Sequence, residues 1–267
     1  MDKKSKVNRA LLAIIILLIV VCVVAGILAF PKIREALSNK APTDTTSTTS
    51  TTSAASAVIT TLEKSRAYQY DNMEIMKLTI EYPEVTLTNN PDAAQRINEQ
   101  IELQVDAHTK SADELYQEAI EAYDDLQKEG FPFHPWEAYL KFQVTYNAHG
   151  LLSLYIDRYV YQGGAHGNTL RSSATWDLAQ GVLRTLDSFY EPGFDYQSLI
   201  LEAILKQAQD NMAQDPYLYF EEYQDSIKEC FNQRSFYLAP DGLVIYYQQY
   251  EIAPYSTGIA EFTIPNL

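Results

Sequence analysis

One stretch constrains this chain more than any other: ALLAIIILLIVVCVVAGILAF, Ala10 to Phe30, uncharged and apolar throughout. About 20 such residues in a helix cross the hydrocarbon core of a bilayer. A cleavable secretory signal has a shorter apolar region with a small-residue cleavage site after it. Here Phe30-Pro31-Lys32 follows, and Cys22 is preceded by Val21 rather than by the small residue that lipoprotein processing prefers. The expected element is therefore an uncleaved membrane helix over 10–30. Lys3, Lys4, Lys6 and Arg9 precede it, while Lys32, Arg34 and Lys40 follow and are partly offset by Glu35. That balance places residues 1–9 in the cytoplasm and the body outside, in a single-pass topology at the cell membrane. A nine-residue tail is too short to fold or to hold a partner domain.

Residues 31–58 read as a linker. Their TDTTSTTSTTSAASA run, Thr43 to Ala57, has almost no large apolar side chains and cannot bury a core, so it is expected to be a disordered stalk. The globular part should start near Ile59 or Tyr68. The chain carries 20 Lys/Arg and 35 Asp/Glu, a net charge of -15. Seven of the basic residues lie in the first 40 positions, so the body is more acidic than the whole. Such a body repels nucleic acid and anionic lipid and attracts a cationic partner, although a well-solvated surface accounts for the same composition. Twenty tyrosines suit half-buried pleated positions, with some left to make contact area outside. The two cysteines, Cys22 and Cys230, fall in different compartments, so no disulfide within a chain and no metal knuckle is expected, and Cys230 reads as a core thiol.

Hydrophobic periodicity outlines the body. Met73–Thr88 alternates as a first strand that Pro83 interrupts or ends. Asn90-Pro91 opens a helix whose stripe runs through Ile97, Ile101, Val105 and His108; SADE at Ser111 to Glu114 suggests a restart, and Gly130 a stop. The acids on its other side, Glu99 through Glu129, read as a solvated face. AYLKFQVTYN, the NAHG turn and LLSLYIDRYVY form an antiparallel hairpin, and SSATWDL with GVLRTL a second one around Ala179-Gln180-Gly181. Helices over Phe194–Met212 and Tyr219–Phe231 precede a strand–turn–strand around Pro240-Asp241-Gly242 and a last strand, Ala260–Pro265. Elements in blocks rather than strict alternation predict an α+β fold: antiparallel sheets with a few helices, in an N-terminal part (59–170) and a C-terminal part (171–267).

Catalytic signatures are sparse. His108, His134, His149 and His166 lack metal-ligand spacing, and no H-E-x-x-H, C-x-x-C, G-x-S-x-G or phosphate-binding loop occurs. No metal and no cofactor is expected. The concentration of glycine around one histidine in YQGGAHGNT, Tyr161 to Thr169, is the feature that asks for explanation. Gly163, Gly164 and Gly167 permit a tight turn or close backbone approach, so His166 reads as a turn residue, a ligand contact or, with a carboxylate such as Asp157, an acid–base pair.

That string, the D-L-x-x-G turn at Asp177, Leu178 and Gly181, and the C-terminal run PDGLVIYYQQYEIAPYSTGIAEFTIP resemble the outer region of RsiV-type proteins, membrane anti-sigma factors that sense lysozyme. The same pair of domains of unknown function occurs beside a peptidoglycan deacetylase domain. The resemblance covers Tyr68 to the C-terminus. It implies an α+β binding or sensor region rather than an enzyme, and a lysozyme-like cationic protein or peptidoglycan as partner. The ligand contacts it points to are Gly163, Gly164, His166, Asn168, Tyr250, Pro254 and Tyr255. Neither the cytoplasmic segment that grips a sigma factor nor a deacetylase domain is expected here. A structural membrane-partner protein and a glycan-acting enzyme are the other readings.

Overall fold

The computed structural model describes residues 56–265. The expected tail, membrane helix and most of the stalk lie outside them, and no helix among the described residues is long and apolar enough to cross a membrane. A six-stranded sheet runs in chain order: β1 (Val58–Tyr70), β2 (Met73–Thr86), β3 (Trp136–Ala148), β4 (Leu151–Tyr161), β5 (Asn168–Asp177) and the two-residue β6 (Val182–Leu183). Every pair is antiparallel except β2 with β3. The expected all-antiparallel sheet is thus mixed, because the 39-residue α1 (Pro91–Glu129) carries the chain from the end of β2 back to its start, and a crossover of that kind sets strands parallel.

β1 was not expected as a strand, although the body was expected to start near Ile59 or Tyr68. Its side chains are mostly exposed, so it lacks the apolar alternation that marks a strand. The signal that identifies it is the turn: Asp71 and Asn72 both take positive φ, 48° and 57°, the geometry of a tight two-residue hairpin. The body starts at Ala57, which is buried and exchanges two 2.8 Å hydrogen bonds with the Asn147 side chain. Pro83 neither interrupts nor ends β2. It pairs with Thr61 beyond the stretch, Met76–Ile80, that β3 covers.

Even-numbered side chains of the sheet, including Leu78, Ile80, Ala138, Leu140, Leu154, Ile156 and Trp176, face α1, whose Ile97, Ile101 and Val105 complete the core. α1 does not restart at Ser111. Ala112 and Ala119 are buried on the same stripe, and packing carries the helix through. The Asn90 side chain caps it by accepting from Ala93 N–H, and Gly130 at φ 76° ends it.

The second half builds outward from the other face. β7 (Phe236–Ala239), β8 (Gly242–Tyr247) and β9 (Ala260–Ile264) form a three-stranded antiparallel sheet. One side, with Leu243, Ile245, Tyr247 and Phe262, packs on α2 (Tyr196–Gln214) and α3 (Tyr223–Glu229). The other side, with Tyr237, Val244 and Tyr246, packs toward Tyr155 of β4. The order of layers is α1, large sheet, small sheet, α2 with α3, an α+β arrangement. Residues 171–183, assigned above to the C-terminal part, complete β5 and β6 of the large sheet. Cys230 is half-buried rather than a core thiol; its Sγ lies 3.9 Å from Glu251 O, and burial pushes its pKa up.

Candidate functional site

The glycine-rich loop joins β4 to β5 on the outer side of the large sheet, and the YEIAPY segment joins β8 to β9. Two glutamines hold them together. Gln249 Oε1 accepts from Thr169 N–H at 2.8 Å, and Gln248 bonds both the N–H and the C=O of Arg171, at 2.9 and 2.8 Å. These side chains satisfy the edge of β5 that β6 is too short to cover. Below them the Arg171 guanidinium, largely buried, makes a two-pronged pair with Asp157 at 2.7 Å, reaches Glu261, and stacks 3.6 Å from the Tyr155 ring centroid. Arg171 therefore clamps β4, β5 and β9 with charge-assisted bonds.

On this scaffold His166, Tyr250 and Tyr255 meet. The His166 ring stacks on Tyr255 with centroids 3.8 Å apart and planes 18° apart. Its Nδ1 lies 2.8 Å from Gly167 O, which can only accept, so Nδ1 carries the proton. In the neutral ring Nε2 then accepts from the Tyr250 hydroxyl, 3.3 Å away and 84 residues along the chain. His166 and Tyr250 are exposed and Tyr255 half-buried, so the cluster is a surface patch with ordered rings rather than a cleft. Tyr250 holds φ at 67°, a cost a non-glycine residue bears only when its surroundings enforce it.

The other expected contacts lie around the three rings rather than among them. Pro254 leads into the 3-10 turn Tyr255–Thr257 that presents Tyr255, and its C=O accepts from Thr257 N–H. Gly163, at φ 75°, sits over His134 and Trp136, while Gly164 faces open space. Asn168 is the exposed first residue of β5, opposite Val160, away from the three rings. Gly167 carries the strictest requirement: a Cβ there would lie 2.3 Å from the Tyr159 ring. Tyr159 stacks in turn on Tyr139, with centroids 5.6 Å apart. Tyr139 and Tyr159 were missed, although the NAHG turn sets the β3–β4 register that places them opposite each other. Asp157 gives both carboxylate oxygens to Arg171, so the expected acid–base partnership with His166 is not formed.

The fold and its paired layers define a class. Solved DUF3298 family structures from Bacteroides fragilis and Pseudomonas aeruginosa match with TM-scores of 0.60 and 0.53, at 19% and 21% identity, each over 78% of this chain and 90% of theirs. Residues 69–169 match the family model described as Deacetylase PdaC, and residues 187–266 the one described as a protein of unknown function, DUF3298. These two matches side by side are consistent with an RsiV-like paired-domain region. The chain is 27% identical over 193 residues to anti-sigma-V factor RsiV of Bacillus subtilis (strain 168), covering 71% of this chain and 62% of that protein. It is 24% identical over 245 residues to the peptidoglycan-N-acetylmuramic acid deacetylase PdaC of the same organism, covering 89% of this chain and 45% of that one. The chain spans less than two thirds of the length of these curated relatives.

Proposed function

We propose that this protein is a membrane-anchored, extracytoplasmic binding module, and that it engages a lysozyme-like cationic protein through the patch of His166, Tyr250 and Tyr255. The observation that carries the reading is the meeting of the two motif segments: rings 84 residues apart in sequence share one ordered, solvent-facing surface. Flat aromatic faces of this kind gain contact area at little entropic cost. The acidic body adds long-range attraction for a cationic ligand. The similarity to an anti-sigma factor and to a peptidoglycan deacetylase supports a role at the cell wall. Cell-wall glycan is the second ligand class, since a sugar ring stacks on the same faces. Asp157 is taken up by Arg171 rather than paired with His166, which favours binding over catalysis.

Calorimetry of the body, residues 57–267, with lysozyme at low and moderate salt tests this. The expected result is micromolar or tighter binding that weakens with salt, lost in Tyr255→Ala and His166→Ala without loss of folding. Unchanged affinity in both variants removes the patch from the site. No heat with lysozyme, followed by heat with peptidoglycan fragments, selects the glycan.

A further inference from the structure

The aromatic patch continues onto the large sheet, and there it meets a carboxylate. On the outer face, Glu137 and Tyr139 of β3 stand opposite Tyr161 and Tyr159 of β4. Side chains two apart on a strand share a face, so the four form a two-by-two block. All four are half-buried. The Tyr139 hydroxyl donates to Glu137 Oε2 at 2.8 Å, and Tyr139 and Tyr159 are stacked. The block adjoins the patch through Gly167, packed on the Tyr159 ring, and through Tyr255, which after burial is the next cause holding the Tyr159 phenol pKa up.

Two other carboxylates on this face of the sheet are compensated by a cation, whereas Glu137 is not. One step further along the same two strands, Lys141 pairs with Glu81 at 3.2 Å and Asp157 with Arg171 at 2.7 Å. Among the described residues Glu137 makes no ion pair. Lys77, its register neighbour on β2, is exposed and does not reach it. One carboxylate oxygen is held by a phenol, and tyrosine rings with electron-rich faces stand around it. That combination attracts a cationic side chain twice over, by charge and by the ring quadrupole.

We propose that Glu137, with Tyr139, Tyr159 and Tyr161, forms a docking subsite for a lysine or arginine side chain of the cationic protein partner that the His166–Tyr255 patch engages. The subsite rests on the binding reading above and gives it a second, charge-reading contact. Glu137 supplies the specific charge that the diffuse acidity of the body does not. The tyrosines exclude water from the bound cation.

The test is binding of lysozyme to the full-length chain in a neutral detergent, over a salt series, with three variants. Glu137→Gln keeps an acceptor for Tyr139 and removes only the charge. Glu121→Gln removes the same charge from the exposed face of α1, which faces away from the patch. Tyr255→Ala removes a ring of the patch. The expected result is about a five- to tenfold weaker Kd for Glu137→Gln with a shallower salt dependence, and a change under about twofold for Glu121→Gln. Equal effects of the two Gln variants, with binding lost in Tyr255→Ala, overturn the subsite and leave the binding reading standing. No binding of lysozyme by the parent chain overturns both. An unchanged urea midpoint in Glu137→Gln keeps an affinity loss from being read as unfolding.

Discussion

A single histidine inside α1 contributes to how this protein responds to acid. His108 lies on the apolar stripe with 6% of its surface exposed, and its Nε2 has no hydrogen-bond partner. Burial, and then the nearby Arg158 charge, hold its pKa down at about 4. The unfolded chain binds a proton on this ring below about pH 6.5, whereas the folded chain does not until about pH 4. Its contribution is therefore neutral above pH 6.5 and becomes a growing penalty as pH falls, levelling off below pH 4 at up to about 3 kcal/mol. His108→Leu should leave stability at pH 7 unchanged or higher and remove that part of the acid loss. Urea midpoints at pH 7 and pH 4.5 check this, and parallel losses in variant and parent would exclude His108. The sequence placed His108 on the helical stripe, because periodicity reports which side faces in. It could not show that the ring nitrogen goes unpartnered there, or that a charge on Arg158, a strand residue 50 positions away, stands nearby, since both depend on the tertiary packing. Gly167 is similar: its presence was visible, but the Tyr159 ring that forbids a side chain became visible only in the fold.

Elements were legible where pattern and turn chemistry agreed. The β3–β4 hairpin, both later helices and the last three strands follow the expected order, with ends shifted by a few residues. β1 was missed because an exposed edge strand has no apolar alternation to read, and the helix restart was wrongly expected because a capping box is a local signal that tertiary packing overrides. The joint between the start of α1 and the β5–β6 turn shows how elements support one another. Asn90 caps the helix and also donates through Nδ2 to Leu178 O and Ala179 O, at 3.2 and 2.8 Å. Gly181, at φ 67°, comes so near Ala93 that a Cβ would lie 2.5 Å from its carbonyl oxygen. Asn90→Ala should cost about 1–2 kcal/mol, at the upper end for a helix cap because three bonds are lost rather than one. Gly181→Ala should cost at least as much, since strain and clash coincide. Denaturant melts of both variants measure these costs; a neutral Gly181→Ala would mean the turn and the helix are not rigidly joined.

At the scale of the molecule, two family matches meet in one structure, and polar side chains make the joint. Ser153 Oγ, 2.7 Å from Thr175 Oγ1 in the large sheet, accepts from Leu238 N–H of the small one, while Arg171, Gln248 and Gln249 tie β5 to the far half. Unfolding of the body should accordingly be a single cooperative transition, coincident by fluorescence and far-UV circular dichroism. Two resolved transitions would show that each half stands alone. Arg171→Met, which leaves the Asp157 and Glu261 carboxylates without their shared cation, should destabilise by roughly 2–4 kcal/mol, less than for a fully buried pair because Glu261 is partly exposed. None of these ties could be read from sequence, because hydrogen bonds spanning 60 to 90 residues leave no local pattern. The clip between Ala57 and Asn147 has a mechanical meaning as well. It fixes the point where the chain enters the body at the end of the sheet where β3 finishes, whereas Glu137, Tyr161 and His166 lie at the end where β3 begins. A pull through residue 56 against a ligand held at the patch would act along the strands. The thirteen paired positions of β1 and β2 would share that load in shear, instead of giving way one bond at a time as a peeled edge does.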